Sequence, residues 1–396
     1  MKVAVVGGGV AGIVASYLLS KQNHEVTLFE ANSKIGGHTN TITTPSGVKV
    51  DTGFIVLNDR NYPLFSNFLK ELGVETRYSD MSFSCSSNDF EWGTRDLNAT
   101  FATRSNILNP RFYRFLLGIK DFWSKALNSL SDFSTLTEWC SKNMISNDVR
   151  ENFLIPFAGA IWSAPRETVE ELPVSSVFRF FKNHGMLSYS DQPKWQTILG
   201  GSERYVEKFC STFTGNIATN SPVKKIKRTN NSISILTNDN QFAFDRAVIA
   251  CHSNLVLDLL ENPTDKEISL FNPWRYQLNK TYLHKDETLM PKRKAAWSSW
   301  NYVSRENFSF VTYDMKRLQG LNEQFFVTLN PPYSPANTLK KIDYYHPIYS
   351  KESVTTQKEL PLIQGNMGTF YCGSYFGDGF HEDAVESAYI MSKVFS

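Results

Sequence analysis

An α/β fold, with a Rossmann-like dinucleotide-binding domain joined to an α+β second domain, is predicted by three features of the sequence. A glycine-rich turn follows a short apolar run at the N-terminus. An acidic residue closes the next apolar run. A second glycine-rich strand-to-helix junction lies near residue 373. The first two features are the ends of one βαβ unit. Two junctions so far apart in sequence fit a single domain assembled from both ends of the chain.

Lys2 to Val6 is an apolar run of the kind that makes a buried parallel strand. "GGGVAG" follows, with Gly7, Gly9 and Gly12 at GxGxxG spacing, then "AGIVASYLLS" as a helix and "HEVTLFE" as the second strand, ending at Glu30. Gly7 permits the turn, Gly9 lets a diphosphate approach the backbone, and Gly12 lets helix and strand pack closely. The helix N-terminus offers unpaired N–H groups to the diphosphate. Glu30 is placed to accept from both ribose hydroxyls and would repel a 2′-phosphate, which disfavours NADP. A second glycine pair, Gly36–Gly37 in "ANSKIGGHTNT", and then "VKVDTGFIV" with Asp51 and Gly53 resemble the continuation found in the flavin amine oxidase and phytoene desaturase superfamily, and that resemblance implies FAD rather than NAD.

Further on, the spacing predicts a helix over 61–74, a hairpin over 81–94 and an amphipathic helix over 109–130. The last carries Phe112, Phe115, Leu116, Ile119, Trp123, Leu127 and Leu130 on its apolar stripe, and Arg111, Arg114, Lys120 and Lys125 elsewhere. It packs on the second domain's core or lies on a membrane. Residues 195–209 read as strand, glycine turn and helix. Residues 221–252 read as a strand, a hairpin and a returning buried strand, with the lysines of "VKKIKR" on a solvated face. More sheet follows over 268–350, and a helix starts near His381. The expected division is 1–75, 195–260 and 351–396 for the nucleotide domain, with 76–194 and 261–350 forming a substrate domain.

With 41 basic and 39 acidic side chains the net charge is +2, so nothing points to a nucleic-acid partner. Five cysteines without a CxxC pair suit a reducing compartment. The N-terminus has no leader-like segment, and no stretch approaches the roughly 20 apolar residues of a membrane span. A cytoplasmic protein is expected, with peripheral contact at the inner membrane face left open. The 29 Phe, 17 Tyr and 8 Trp suit either an apolar pocket or an aromatic core.

"GAIWSAP" (159–165), "FFKNHGMLS" (180–188), "WQTILGGSERYV" (195–206), "LHKDETLMPKRKAAWSSWNY" (283–302) and "GSYFGDGFHEDAVES" (373–387) are spread over nearly the whole chain. Together with the N-terminal motifs, they resemble a bacterial subgroup of the flavin amine oxidase and phytoene desaturase superfamily. That resemblance implies a FAD-binding domain of the glutathione-reductase/amine-oxidase type and a substrate domain with a mixed or antiparallel sheet. It implies FAD contacts from Gly7, Gly9, Gly12 and Glu30, from Gly36, Gly37, His38 and Thr39, from Val223, and from Gly373, Ser374, His381, Glu382, Asp383 and Ala384. Genes of this subgroup tend to accompany cyclopropane-fatty-acid-synthase-like methyltransferases. By that association the substrate is a long unsaturated or methylated acyl chain or phospholipid, desaturated or isomerised, with a lipid methyltransferase as partner.

Three positions depart from the family. His38 stands where many members have arginine. Ser374 stands where many have an acid for the ribityl chain, with Asp378, Glu382 and Asp383 as stand-ins. Ser387–Ala388 replaces a closing glycine.

Hydride transfer needs orientation and a dry pocket rather than a nucleophile, and no histidine spacing marks a metal site. If a proton must also leave, a base is needed. His381 and Glu382 fit it from the C-terminal helix start, and His184 is a second candidate. In the 283–302 stretch, Trp300 and Tyr302 are expected to line the pocket, and "MPKRK" to be a turn between strands, solvated or holding an anionic head group. A true amine oxidase with an aromatic cage, and a noncatalytic FAD-bound partner of the methyltransferase, are the competing readings.

Overall fold

Val3, Ala4, Val5 and Val6 are buried on both faces, as a central parallel strand requires. In the computed structural model, which describes residues 1–87, 90–188, 190, 192–229, 232–305 and 308–395, this strand sits in the middle of a five-stranded parallel sheet. The strand order is Asn216–Ala218, Glu25–Phe29, Lys2–Val6, Arg246–Ile249 and Thr369–Tyr371. The sheet is therefore assembled from the two ends and the middle of the chain. Helices Val10–Lys21 and His381–Val394 pack against one another beside it.

The second large sheet has seven strands, in the order Lys340–Ile348, Arg275–His284, Phe326–Leu329, Phe308–Asp314, Trp300–Arg305, Phe83–Ser86, Glu91–Gly93. All neighbours are antiparallel except Trp300–Arg305 beside Phe83–Ser86, so the sheet is mixed. The expected hairpin over 81–94 is present, while residues 88 and 89 at its tip lie outside the described residues. The turn at 230–231, and residues 189 and 191 of the "FFKNHGMLSYSDQPKW" stretch, lie outside them as well.

Two details differ from the sequence reading. In helix Pro110–Leu127 the buried stripe is Phe112, Phe115, Ile119, Phe122 and Ala126. These follow a regular three-four spacing, which leaves Leu127 exposed one residue past the stripe. "MPKRK" is not a tight turn: Arg275–His284 and Trp300–Arg305 are not neighbours, and a long connection with two short 3₁₀ turns joins them. The lysines of "VKKIKR" are exposed or half-exposed as expected, while Arg228 at its end turns its side chain inward. Its guanidinium holds Glu267 in a two-pronged pair at 2.5 and 2.9 Å.

The same carboxylate accepts from Tyr371 Oη at 2.6 Å and from the Thr264 N–H at 2.7 Å. A strand of the small 225–244 sheet, helix Asp265–Phe271 and the last parallel strand thus meet at one buried charge pair. Removing one partner leaves the other charge buried alone. Arg228→Met is expected to cost roughly 3–5 kcal/mol, read as a lower midpoint in urea unfolding. A loss under about 1 kcal/mol would mean that the pair holds nothing together.

Candidate functional site

One cavity of about 880 Å³ runs between the parallel sheet and the seven-stranded sheet, within the size range of cofactor and ligand sites. Its floor is the first glycine turn. Gly7 has φ +112°, and a Cβ on Gly12 would lie 1.9 Å from Gly7 O, so helix and strand touch there. At Gly9 a Cβ would meet nothing within 4 Å, because that position faces the cavity. No side chain caps helix Val10–Lys21, and Gly9, Val10 and Ala11 at its start all line the space. An anion set there would receive the helix N–H groups and the positive end of the dipole.

Glu30 is buried at the same end. Its Oε2 accepts from the Gly8 N–H at 2.9 Å, and its Oε1 accepts from the Asn32 N–H and Nδ2. Val223 lines the cavity nearby. The second glycine pair packs directly on the first. Gly36 N–H donates to Gly8 O at 2.7 Å, and a Cβ on Gly37 would lie 3.1 Å from Gly9 Cα. Asp51 ties this region to its surroundings by accepting from Thr41, Ser202 and Gln319 side chains, and burial pushes it up to about 6.

His38 is half-buried and lies stacked on Tyr344 at 5.0 Å, with His346 and His252 at 5.2 and 6.0 Å. Burial holds its pKa well below the ordinary value, so the ring is neutral. Its Nε2 has no protein partner. In place of arginine's charge the chain offers one hydrogen-bonding nitrogen. Thr39 Oγ1 meets Tyr205 Oη at 2.6 Å, and Tyr205 Oη meets His381 Nε2 at 3.2 Å.

His381 lines the cavity at the start of the C-terminal helix, stacked on Phe54 at 3.8 Å. Burial pushes it down to about 3, so it is a neutral positioning group and a weak base. Gly373, Ser374 and Ala384 line the cavity too. Glu382 does not, which removes it as a base: its carboxylate accepts the Leu64 and Phe65 N–H groups and caps helix Pro63–Glu71. Asp383 faces inward as well, accepting the Phe380 N–H at 2.7 Å. Of the three acids expected to stand in at the C-terminal motif, only Asp378 borders the cavity. Burial raises its pKa against the opposing pull of Arg179.

Two further expectations are corrected. His184 lies behind the cavity wall, with Nδ1 against Phe180 O at 3.0 Å and its ring stacked on Phe180 at 3.8 Å. It closes helix Val174–Asn183 and is pushed down to about 4 by burial. Tyr302 shares a strand face with Trp300 but sits one pleat further along, where helix Ile155–Trp162 covers it and Gly159 makes room for its ring. Trp300 does line the cavity, edge-on to Tyr313 at 5.3 Å, with Nε1 unpartnered. The basic run lies outside: Arg293 pairs with Glu91 and Lys294 with Glu287.

Residues 10–330 match the family described as flavin containing amine oxidoreductase. The chain belongs to this family. It is 25% identical over 265 residues to an L-amino-acid oxidase of Siganus canaliculatus, covering 64% of this chain and 49% of that one. It is 26% identical over 204 residues to a zeta-carotene desaturase of Synechocystis, covering 50% and 36%. The chain thus spans half or less of these relatives' length. Among solved structures, its fold is similar to a fatty acid isomerase from P. acnes (TM-score 0.74, 16% identity, covering 100% of this chain and 98% of that one). It is also similar to a cyclohexylamine oxidase from Brevibacterium oxydans (TM-score 0.73, 15% identity, 99% and 98%).

The cofactor of this flavin amine oxidoreductase is FAD, and the residues present fit it. The uncapped helix start and open Gly9 suit the diphosphate, and the oriented Glu30 suits the ribose. Sequence reasoning missed Phe54, Tyr205, Tyr344 and His346. Alternation puts Tyr344 and His346 on one face of strand Lys340–Ile348, but nothing in the local sequence shows that this face meets the cavity.

Gly9→Val is expected to fold with an unchanged unfolding midpoint yet purify without flavin, because its side chain would enter the cavity. Gly12→Ala is expected to yield little soluble protein. Flavin absorbance per chain and urea unfolding test both. A flavin-loaded Gly9→Val protein would contradict the assignment of the diphosphate to this turn. Burial and Asp378 together push Asp383 up to about 8. Its folded form holds the proton more tightly than the unfolded chain does, so that stabilising contribution is lost as pH rises from the ordinary 3.8 through about 8. Relative to Asp383→Asn, the wild type is expected to lose stability over that window; a pH-independent difference in melting temperature would refute it.

Proposed function

We propose that this flavoprotein abstracts hydride from a long unsaturated or methylated fatty-acyl chain, free or in a phospholipid. The outcome is desaturation, or isomerisation when the hydride is returned at another carbon. The observation that carries this reading is the chemistry of the cavity wall beyond the glycine turns. Met81, Ile161, Trp162, Phe180, Met186 and Leu329 line it. Among the described lining residues there is no arginine, and the one lysine, Lys34, lies near the glycine turns and pairs with Glu203. An amino-acid substrate would bring its carboxylate beside the reacting carbon with no cation to receive it, whereas a fatty-acyl chain carries its head group many carbons away and presents only hydrocarbon to this wall.

When bound, FAD supplies the hydride acceptor. The chain's own residues exclude water and align the substrate. The aromatic wall from Trp162, Phe180 and Trp300 fixes a flexible chain with little side-chain entropy to lose. In desaturation, the carbon next to the hydride donor loses a proton. Asp378 is the group assigned to take it, because a carboxylate with a raised pKa is a stronger base than an exposed one. In isomerisation the electron count of the product equals that of the substrate, and no external acceptor is consumed. A lipid methyltransferase would supply the methylated form of such a substrate.

Asp378 also favours a second reading. A carboxylate beside aromatic walls can take the proton of an incoming ammonium and leave the neutral amine that hydride abstraction from an amine requires. Anaerobic mixing of flavin-loaded protein with cis-unsaturated or mid-chain-methylated lipids, followed by absorbance and lipid mass spectrometry, separates the readings. Flavin bleaching with loss of two hydrogens marks a desaturase, and unchanged mass with a moved double bond marks an isomerase. Bleaching by amines alone would replace the acyl reading with the second. Asp378→Asn is expected to slow the acyl reaction about 10²–10⁴-fold with flavin content unchanged. Unaltered turnover would remove Asp378 as the base.

A further inference from the structure

We propose that the segment from Leu97 to Lys120 is a docking surface for an anionic lipid bilayer. Leu97, Leu108 and Leu117 are 78%, 88% and 68% exposed, and Ile107 and Tyr113 are nearly half exposed. Single exposed leucines are ordinary, but these fall within one short segment whose parts are tied to one another. Tyr113 Oη donates to Ile107 O at 2.8 Å, and Arg104 reaches Phe101 O and the Asn98 side chain, which joins the turn to the short helix begun by Leu97. Tyr113 and Leu117 are one helical turn apart on Pro110–Leu127, with Leu108 just before its cap Asn109. The opposite face of that helix, from Phe112 to Ala126, is buried, so the outer stripe has no place in the core.

Charge selects the partner. Between residues 97 and 120 there is no Asp or Glu, while Arg104, Arg111, Arg114 and Lys120 are present. Arg111 pairs with Asp148; Arg104, Arg114 and Lys120 have no acidic partner among the described residues. The acids at the borders are engaged: Asp96 with Arg95 and Asp121 with Lys125. Leucines among unpaired cations match a surface with anionic head groups above hydrocarbon. An acidic protein or polymer would use the charges and leave the leucines in water. Among the described residues no helix is long and apolar enough to cross a membrane, so the contact is with one leaflet. The inference stands on this surface and is independent of the substrate assigned to the cavity.

The test is co-sedimentation of the flavin-loaded chain with vesicles of pure phosphatidylcholine and of phosphatidylcholine mixed with phosphatidylglycerol. Binding is expected to rise with the phosphatidylglycerol fraction and fall with salt. Leu108→Asp/Leu117→Asp and, separately, Arg114→Glu/Lys120→Glu are each expected to weaken it at least about tenfold, since both apolar insertion and charge contribute. Flavin content and unfolding midpoint are expected to stay unchanged, because neither pair touches the cavity. No binding to mixed vesicles overturns the proposal. So does binding that the leucine variants leave intact, which would mark adsorption to charge alone.

Discussion

The contact between two glycine turns governs the rest of this molecule. Gly36 N–H on Gly8 O, Gly37 against Gly9 Cα, and the Glu30 carboxylate on the Gly8 N–H leave no room for side chains between the first and second motifs. That closeness keeps the start of the first helix open and uncapped. It also sets the direction in which the chain leaves toward His38, Thr39 and Asp51. A buried helix end without partners is costly unless something supplies acceptors. FAD, the family's cofactor, carries such acceptors in its diphosphate.

The second sheet is fastened to this frame by a few polar contacts. Tyr344 Oη meets Thr52 Oγ1 and accepts from Asn40, both at 3.0 Å, while Gln319 grips Asp51. These contacts place aromatic and aliphatic side chains of the mixed sheet opposite the glycine turns. The cavity thus has a polar end formed by the glycine turns and Glu30 and an apolar end lined by side chains such as Met81, Ile161, Phe180 and Leu329. His38 and His381, both neutral through burial, are among the groups between them, so hydrogen bonds rather than full positive charges face that region.

Local pattern made the frame legible. The parallel strand, the glycine spacing and the closing Glu30 are consequences of backbone geometry that only certain residues permit, and they appear where expected. The long helix and the antiparallel strands of the second sheet also follow from periodicity. The site's far wall did not, because periodicity tells which residues share a face and not what that face meets. Tyr302 and Trp300 alternate together, yet helix Ile155–Trp162 covers only the first. Glu382 and Asp383 carry the right charge at the right junction, but the backbone N–H groups of Leu64, Phe65 and Phe380 claim them. His184 likewise answers to the carbonyl four residues before it. The pairing of Arg228 with Glu267 was not legible, because the two are 39 residues apart.

The most direct test of this account is a crystal structure of the flavin-loaded protein with a saturated long-chain fatty acid, which cannot isomerise. The diphosphate should lie on the N–H groups after Gly9, and the methylene chain should run between Phe180 and Trp300. A chain bound elsewhere with that space filled by water, or a diphosphate away from Gly9, would contradict it.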